Sequence, residues 1–458
     1  MMNKYTLKIC LLVTVLMGAF NLTQAAKDDG HIVVIISIDG MASYYLDDPK
    51  ADIPTLHALM AEGASAKSMK PVLPTSTWAN HTTLVTGVTP DRHGVIGNKY
   101  WERSTGKTIQ LISDPIFDKD ELVKAPTIYD VAHDAGIKTA AILWPASRNA
   151  HTLDWTIPDV GTDEHFKKYC TPELWAESVA AGIPVEKQEV WRNSGMGVER
   201  DLMYTKMFLL ALKHHPGLAL LHLIAVDHLE HEHGPRSPEA YAALHAADQR
   251  VKEVKAALAA QYPGKATIIV TSDHGFVGYH QKIEPNVKLR QAGLYKSKVP
   301  KNKSPAYSIS QGGSCYIYIN DKKNLPAWTK KIAAMFKGAE GIDLVLEPKD
   351  YAKFGLPTPD VDPRMGDLIL TAKDDYSISD GTDGETFVTA KSAKLLGAHG
   401  HSPLMPQMQA SFMAWGAGIK KGVKLDSIDN LDVAPTAAAL LGLEMKNVQG
   451  RVLKEILE

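Results

Sequence analysis

Short apolar runs, separated by longer helix-like stretches, constrain the fold of this 458-residue chain more than any other feature. The clearest runs cover residues 32–38, 139–143, 218–226, 266–271 and 411–415. Continuous apolar runs of this length are typical of strands buried on both faces, as in a parallel sheet. The helix-like stretches cover residues 54–62, 127–135, 201–214 and 237–261. This alternation predicts an α/β fold with a mostly parallel central sheet and helices on both faces.

The stretch from about residue 275 to 396 differs from the rest of the chain. It mixes Pro, Lys and Gly with isolated strand-like pieces at 315–319 and 368–371. We predict that it forms an insertion, either loop-rich or a smaller cap subdomain. Residues 152–200 are predicted to form a smaller cap. No linker divides residues 26–458 into independent domains.

The N-terminus has the pattern of a secretory signal peptide. Lys4 and Lys8 precede an apolar run at 9–20, and small residues follow at Thr23 and Ala25. We predict that residues 1–25 are a signal peptide, cleaved near Ala25, and that the protein is exported to the periplasm or the medium. An N-terminal membrane anchor is the alternative, but the run is shorter than the roughly 20 residues that span a bilayer. No later run is long enough, so a soluble mature protein is expected.

Charge and cysteine content exclude some classes of protein. The 50 Lys and Arg residues almost balance the 52 Asp and Glu residues, so there is no general electrostatic case for binding nucleic acid or a membrane surface. Cys170 and Cys315 remain after removal of the signal, and whether they pair is open. Two cysteines make no disulfide framework, and neither lies in a recognisable catalytic setting.

Carboxylates follow three of the predicted strands. Asp39 comes directly after the run at 32–38, Asp227 after 218–226, and Asp273 after 266–271. Ligands of open α/β sheets bind at the carboxyl ends of the strands, so these three acids are expected to gather at one edge. Crowded carboxylates repel one another, and bound cations are the usual remedy.

Histidines accompany these acids. His231 follows Asp227 by four residues, His274 follows Asp273 directly, and His399 lies in a Gly-rich loop. Mixed Asp and His ligation suits zinc better than magnesium or calcium. Each piece alone is weak evidence, because an Asp at a strand end is often a turn former or a helix cap. The prediction of a metal site therefore rests on their conjunction. His228 and His233 are expected to be solvated or to lie behind the ligands.

Three hydroxyl residues, Thr75, Ser76 and Thr77, precede a helix-like segment at 80–86. A hydroxyl at a helix N-terminus faces the positive end of the helix dipole. If such a hydroxyl also contacts zinc, its alkoxide becomes accessible near neutral pH. The alternative is a simple helix N-cap.

Taken in order, these residues resemble the nucleotide pyrophosphatase/phosphodiesterase family of the alkaline phosphatase superfamily. The resemblance spans roughly residues 31 to 450. It rests on the stretches 37–40, 77–87, 92–98, 143–147, 227–235, 272–275, 397–400 and 432–442. It implies an alkaline-phosphatase-like catalytic domain over residues 26–458.

The resemblance also implies a ligand set for two zinc ions per chain. One ion would be held by Asp227, His231 and His399. The other would be held by Asp39, Asp273, His274 and Thr77.

Thr77 would be the nucleophile, because it precedes an aromatic-X-Asn-His sequence. It would attack phosphorus in line and form a covalent threonine intermediate, which water activated by the first zinc would break. The amide near Trp78 and the side chain of Asn98 would bind the non-transferred oxygen. Trp78, where Phe is more usual, is expected either to stack on a nucleobase or to be a core residue. The implied substrates are phosphodiesters or nucleotide pyrophosphates.

Two positions depart from the family pattern. His401 and the two residues after it stand where Tyr-Asp or Tyr-Asn is more common, and Ala79 replaces a common Pro. Neither position is an implied metal ligand, but both leave the nucleotide preference open.

Several alternatives remain. A phosphomonoesterase would need extra cations, which Arg148 or Lys99 would supply, although the Trp-Pro-Ala-Ser stretch at 144–147 favours the diesterase. A phosphonate hydrolase would use the same zinc chemistry. A sulfatase is disfavoured, since the sulfatase motif Cys/Ser-X-Pro/Ala-X-Arg is not found at the position of Thr77. A non-catalytic, zinc-stabilised binding protein is disfavoured because the nucleophile and all six ligands are present. The oligomeric state is open.

Overall fold

A computed structural model describes residues 30–113, 117–296 and 301–458. The predicted signal peptide, residues 1–25, lies outside the described residues. The strands are β1 Ile32–Ile38, β2 Ala64–Lys70, β3 Lys99–Glu102, β4 Lys107–Gln110, β5 Thr139–Trp144, β6 Trp155–Pro158, β7 Leu218–Leu223, β8 Ala266–Thr271, β9 Val277–Ile283, β10 Ala306–Ser310, β11 Ser314–Ile319, β12 Ile342–Leu346, β13 Leu368–Ala372, β14 Asp375–Ile378, β15 Leu396–Ala398, β16 Ala410–Gly416 and β17 Val423–Asp429. The α-helices are α1 Pro54–Glu62, α2 Thr77–Thr86, α3 Pro90–His93, α4 Lys119–Leu122, α5 Ile128–Asp134, α6 Asp163–Tyr169, α7 Pro172–Ala180, α8 Gln188–Asn193, α9 Gly197–Leu212, α10 Ala225–His233, α11 Pro238–Gln261, α12 Pro285–Gln291, α13 Leu325–Phe336 and α14 Val433–Leu440.

The central sheet has eight strands in the order β17-β2-β16-β8-β1-β7-β5-β6. Only β16 runs antiparallel to its neighbours, β2 and β8, and every other neighbouring pair is parallel. The prediction of a mostly parallel sheet is therefore confirmed.

Strand β1 lies in the middle of the sheet and is buried along its whole length. Its even-numbered apolar residues, Ile32 to Ile38, belong to a core on one face, while Val33 and Ile35 belong to a core on the other. Helices α1, α9 and α11 cover the first face, and α5 and α14 cover the second. Because successive side chains of a strand point to opposite faces, an uninterrupted apolar run needs helices on both sides.

The register of β1 aligns the ends of its two neighbours. Ser37 pairs with Thr271 of β8, and Ile38 pairs with Leu223 of β7. The residues that leave these strands therefore emerge side by side at one edge of the sheet, which is the edge where Asp39 and Asp273 lie.

The run at 218–226 is not a strand throughout, so that prediction is wrong at its end. Strand β7 stops at Leu223 and α10 begins at Ala225. The carboxylate of Asp201 accepts hydrogen bonds from the backbone amides of Ile224 (2.7 Å) and Ala225 (3.1 Å), which satisfies donors at the start of α10. Asp227 thus lies in the first turn of a helix.

Between residues 275 and 396 the structure contains two further sheets. Strands β10, β11, β13 and β12 form an antiparallel sheet with its own apolar core, onto which α13 packs. The second sheet has the order β14-β9-β15, and its strands β9 and β15 pair antiparallel, with Ala398 opposite Val277. Residues 152–200 contain three complete α-helices, α6 to α8, and the start of α9, together with β6, the edge strand of the central sheet.

Cys170 and Cys315 are both unpaired and buried, one in a core of the central sheet and the other in the core of the antiparallel sheet. Across the three described ranges, no helix is both long enough and apolar enough to cross a bilayer.

We expect Ile36→Ala to lower the free energy of unfolding by about 2–5 kcal/mol, because Ile36 is fully buried in β1 and its removal leaves a cavity. Val361→Ala is the control, since Val361 is 70% exposed and should change stability little. Urea unfolding of the two variants and the wild type would measure this. Equal midpoints for all three proteins would contradict the burial of β1.

Candidate active site

Thr77 is the first residue of α2, three residues earlier than the helix-like segment predicted from the sequence. Asn80 explains this start. Its Nδ2 group donates to the carbonyls of Ser76 (2.9 Å) and Pro74 (3.0 Å), and its Oδ1 accepts from the amide of Val72 (2.8 Å). These bonds fix the preceding loop, with Ser76 in an extended conformation. The hydroxyl of Thr77 therefore lies at the positive end of a ten-residue helix.

Trp78 and Asn98 contact each other. The amide of Trp78 donates to Oδ1 of Asn98 at 2.9 Å. The backbone amide of Asn98 in turn donates to Oε1 of Gln311 at 3.2 Å, which anchors this turn to the antiparallel sheet. Since its Oδ1 is used by Trp78, Asn98 has its Nδ2 group to offer to a ligand. The resemblance implied that the amide and the side chain bind one oxygen together, whereas here they bond to each other.

Asp39, Asp273 and His274 form one compact group at the edge of the sheet. Nε2 of His274 lies 3.0 Å from Oδ2 of Asp273 and 3.5 Å from Oδ1 of Asp39. One ligand atom from each of the three residues lies within 4.8 Å of the other two. All three side chains are 5% exposed or less, so little water screens their charges.

Asp227, His231 and His399 lie beside this group. Oδ1 of Asp227 is 3.5 Å from Nε2 of His231, one helical turn further along α10, and 3.6 Å from Nε2 of His399. The ring of His399 stacks on that of His274, with centroids 4.0 Å apart. Asp227, His274 and His399 also form a compact group within 4.8 Å, so His274 lies within reach of both groups. His231 is the most exposed of the six side chains, at 42%.

The three imidazoles are oriented in the same way. Nδ1 of His274, His231 and His399 bonds the backbone carbonyl of Gly275 (3.2 Å), Gly397 (3.1 Å) and Thr75 (2.9 Å), respectively. A carbonyl only accepts, so Nδ1 carries the proton and Nε2 of each neutral ring keeps its lone pair. This is the usual arrangement of histidine ligands of metals.

Four buried atoms of this set have no hydrogen-bond partner among the described residues: Oδ1 of Asp39, Oδ1 of Asp227, Oδ2 of Asp273 and Nε2 of His274. Leaving buried polar atoms unpaired costs free energy, and a cation among them would remove that cost. The residues therefore fit a metal ion. A mixture of carboxylate oxygen and imidazole nitrogen matches the donors that zinc and related transition metals prefer.

The electrostatics agree with this fit. Burial raises the pKa of Asp39 well above its usual value, and the charges of Asp273 and Asp227 raise it further. Burial would also raise the pKa of Asp273, but His274 and His81 outweigh it and hold that pKa below its usual range. Burial lowers the pKa of His274 to about 4 and that of His399 to about 3. Both imidazoles are therefore neutral near pH 7.

Two histidines that sequence analysis missed lie behind the carboxylates. Nε2 of His222 is 2.9 Å from Oδ2 of Asp39, and Nδ1 of His81 is 3.4 Å from Oδ2 of Asp273. Their rings lie 4.2 Å apart. Burial and the neighbouring His81 lower the pKa of His222 well below its usual value. Both had a signal in the sequence: His81 ends the aromatic-X-Asn-His sequence after Thr77, and His222 is a polar residue within the apolar run of β7.

A cavity of about 240 Å³ opens beside Thr77. Its floor is the edge of the central sheet where Asp39 lies, and it includes Thr77, Asp39 and Asp227. The hairpin β3–β4 and the residues after it form one wall, which includes Lys99 and Ile112. A second wall comes from the segment before α10, and its residues are Asp159, Arg192, Arg200 and Ile224.

The sequence left open whether Trp78, Lys99 and Arg148 contact the substrate, and the structure places them differently. Trp78 lines the cavity but also packs in the core of the antiparallel sheet, and it is only 5% exposed. Lys99 lines the cavity and pairs with Asp380 at 2.6 Å. Arg148 pairs instead with Asp118 at 2.5 Å and is not part of the cavity lining.

The remaining histidines lie in different surroundings. His228 lines the cavity, whereas His233 lies near Glu232 and Glu239 on the surface. His401 is buried, with Nε2 bonded to the carbonyl of Tyr376.

The chain is similar in sequence to ectonucleotide pyrophosphatase/phosphodiesterases and to venom phosphodiesterases. The chain is 24% identical to mouse ectonucleotide pyrophosphatase/phosphodiesterase family member 1 over 441 residues, which is 91% of this chain and 41% of that protein. It is 24% identical to human family member 5, covering 94% of this chain and 79% of that protein. Venom phosphodiesterase 2 of Crotalus adamanteus is also 24% identical, covering 90% and 45%. The chain thus spans about two fifths of the length of family member 1.

A solved structure has the same fold. It is an inactive form of murine ectonucleotide pyrophosphatase/phosphodiesterase 5 in complex with AMP, with a TM-score of 0.71 and 19% identity, covering 93% of this chain and all of that chain. The predicted alkaline-phosphatase-like architecture is therefore confirmed. A family profile described as type I phosphodiesterase / nucleotide pyrophosphatase matches residues 33–402. Since that match covers most of the described chain, the protein belongs to the type I phosphodiesterase / nucleotide pyrophosphatase family.

Proposed function

We propose that this protein is an exported two-zinc hydrolase that cleaves phosphodiester or nucleotide pyrophosphate bonds through a covalent intermediate on Thr77. One observation carries the proposal: Asp39, Asp227, Asp273 and His274 have buried ligand atoms without partners among the described residues, and they form two compact groups that share His274. Asp39 and Asp227 bring these groups to the cavity that Thr77 lines. Family membership supports phosphoric ester hydrolysis. The pattern of residues 1–25 and the relatives' description as ectonucleotide enzymes support export.

The chain offers two ligand sets. Asp39, Asp273 and His274, with the hydroxyl of Thr77, would hold one zinc ion. Asp227, His231 and His399 would hold the other. Bound zinc would act as a Lewis acid on the oxygens around phosphorus and would make oxygen nucleophiles available near neutral pH.

Thr77 is proposed to attack the phosphorus atom of the substrate with its Oγ1. A bond forms between that oxygen and phosphorus, and the bond from phosphorus to the leaving oxygen breaks. Water then cleaves the threonine ester and restores the hydroxyl. The start of α2 favours this role, because the helix dipole stabilises negative charge that develops on Oγ1 and on the phosphoryl oxygens.

Asn98 is proposed to donate from Nδ2 to a non-transferred phosphoryl oxygen. Its side chain is already oriented by the bond from the Trp78 amide, so little ordering is needed when substrate binds. Because the backbone amide of Trp78 already donates to Asn98, only the Nδ2 group of Asn98 is offered to the substrate.

A phosphomonoesterase is the second candidate, and the cations of the cavity favour it. Lys99 lines the cavity, as do Arg192 and Arg200, and a monoester carries one more negative charge than a diester. The names of the relatives favour the diesterase. Steady-state rates on the two substrate types separate these candidates.

Thr77→Ala should lower kcat/KM for bis-p-nitrophenyl phosphate by about a thousandfold or more, because the nucleophile is lost. Thr77→Ser should retain measurable activity, since it keeps a hydroxyl. Thr329→Ala, which removes a hydroxyl from α13, is the matched control. Wild type should prefer this diester to p-nitrophenyl phosphate. Full activity of Thr77→Ala would exclude Thr77, and a preference for the monoester would favour the phosphatase.

Asn98→Ala should lower kcat by about 100-fold or more, as expected for loss of one donor to the transition state. Substrate affinity should change less than kcat. Steady-state kinetics with the zinc-loaded variant would measure both. A change in KM alone would assign Asn98 to ground-state binding instead.

Zinc should stabilise the protein without any substrate. At a concentration about 100 times its dissociation constant, a ligand adds about 2.7 kcal/mol to stability, so Tm should rise measurably. Asp273→Asn and His274→Ala should abolish most of this rise and lower the bound zinc from two ions per chain, measured by atomic absorption. Glu455→Gln is the control, because Glu455 pairs with Arg451 on the surface and belongs to neither ligand set. An equal Tm rise in all variants would contradict the ligand assignment.

A further inference from the structure

Two arginines extend into the cavity from the wall formed by α8 and α9. Arg200, on α9, is only 6% exposed, and its Nε donates to the hydroxyl of Tyr204 at 3.0 Å. Arg192, on α8, donates from Nη1 to the carbonyl of Gly161 at 3.3 Å. Both residues line the same cavity as Thr77. In the part of the chain that the structure describes, neither guanidinium has a carboxylate oxygen within 4.0 Å.

Asp159 is the acid that lines the cavity on this wall. Burial raises its pKa, and the charges of Arg200 and Arg192 oppose that rise. Asp201 also interacts with the charge of Arg200, but burial raises its pKa to about 7 and its oxygens already accept from the amides of Ile224 and Ala225. Neither Asp159 nor Asp201 lies within 4.0 Å of either guanidinium, so no described carboxylate pairs directly with these arginines. Asp39 and Asp227 also line the cavity, but their ligand atoms face the proposed metal ions.

The desolvation cost falls mainly on Arg200, because Arg200 is buried whereas Arg192 is half-buried. A guanidinium that is removed from water and lacks a paired anion loses much of its hydration free energy. The planar guanidinium binds phosphate and carboxylate groups through paired hydrogen bonds. Lys99 differs from the two arginines, because Asp380 already pairs with its ammonium group. An anionic group in the cavity would supply the partner that the two guanidinium groups lack.

Gly161 leaves the space that the Arg192 guanidinium occupies. A Cβ at this position would lie 3.2 Å from Nη1 of Arg192 and 3.5 Å from the carbonyl of Ile112. The first approach is tight and the second is an ordinary van der Waals contact, so a side chain at this position would press on the Arg192 guanidinium.

We propose that Arg192 and Arg200 determine substrate specificity by binding an anionic group that the substrate carries in addition to its scissile phosphate. This group is a phosphate or a carboxylate, since the same guanidinium geometry recognises both. The inference rests on the proposed hydrolase function. It selects substrates with a second negative centre near the scissile bond, and it disfavours substrates whose attached group is neutral or cationic.

Three matched substrate pairs test the proposal, each differing by one anionic group. The first is the p-nitrophenyl ester of thymidine 5′-phosphate, with and without a 3′-phosphate. The second is diadenosine triphosphate against diadenosine diphosphate. The third is glycerophosphoserine against glycerophosphoethanolamine, which adds a carboxylate. Zinc-loaded wild type should show a higher kcat/KM on the anion-bearing member of at least one pair, and the pair concerned tells phosphate from carboxylate.

Arg200→Gln and Arg192→Gln should each reduce that preference by about tenfold or more, the range expected for a charged hydrogen bond. Arg200→Lys keeps the charge but not the paired geometry, so it should retain part of the preference. Arg451→Gln is the control, because Arg451 pairs with Glu455 on the surface. It should leave the preference unchanged. Circular dichroism and Tm of each variant report whether it is folded.

The proposal is overturned if folded Arg200→Gln and Arg192→Gln lower kcat/KM equally for both members of every pair, or if wild type prefers the member without the extra anion. If Arg200→Gln fails to fold, the same comparison with Arg200→Lys and Arg192→Gln decides. Failure of the proposed function has a different signature: zinc-loaded wild type would then hydrolyse neither member of any pair.

Discussion

Negative charge concentrated at one edge of the sheet is the constraint on which the rest of the site depends. Asp39 and Asp273 lie with His274 in a group whose ligand atoms are within 4.8 Å of one another, and Asp227 lies in a second such group with His274. Buried carboxylates this close repel one another strongly, because few water molecules screen them. The fold meets this partly with His222 and His81, which lie behind Asp39 and Asp273. One ligand atom each of Asp39, Asp227, Asp273 and His274 is left without a protein partner among the described residues, an arrangement that fits bound cations.

The same constraint explains why the site needs a rigid frame. Strand β1 is bonded on both sides by parallel strands, and their register fixes Asp39 relative to Asp273. Thr75 connects the nucleophile loop to the loop of His399: its carbonyl accepts from Nδ1 of His399 (2.9 Å) and from the amide of Gly400 (2.8 Å). The loop before Thr77, the proposed nucleophile, is therefore bonded directly to His399, a proposed metal ligand. Positions accurate to a fraction of an ångström are what a metal-assisted displacement requires.

Much of this arrangement was predictable from the sequence, and the failures have physical causes. The uninterrupted apolar run of β1 leads to a sheet covered on both faces, and Asp39 and Asp273 follow directly from the ends of their strands. Asp227 is different, because an apolar run has no period that tells a strand from the start of a buried helix. There the change depends on Asp201, a residue more than twenty positions earlier that caps α10. Arg192 and Arg200 reach the site only through tertiary packing, so no local pattern marks them. His81 belongs to the sequence that follows Thr77, but its contact with Asp273 depends on tertiary packing as well. The early start of α2 likewise depends on the bonds that Asn80 makes with residues 72–76.

The two ends of the segment between His274 and His399 are held together, which limits where this segment can vary. The segment leaves the site just after His274 and returns just before His399, and its two ends are paired as the antiparallel strands β9 and β15. Its length and content are thereby uncoupled from the spacing of these two histidines. The intervening residues are not all equivalent, because Gln311 accepts from the amide of Asn98 and the amide of Gly313 donates to the carbonyl of His399. The turn between β10 and β11 is therefore tied to the site, whereas an element farther along the segment, such as α13, can change in length without altering the distance between His274 and His399.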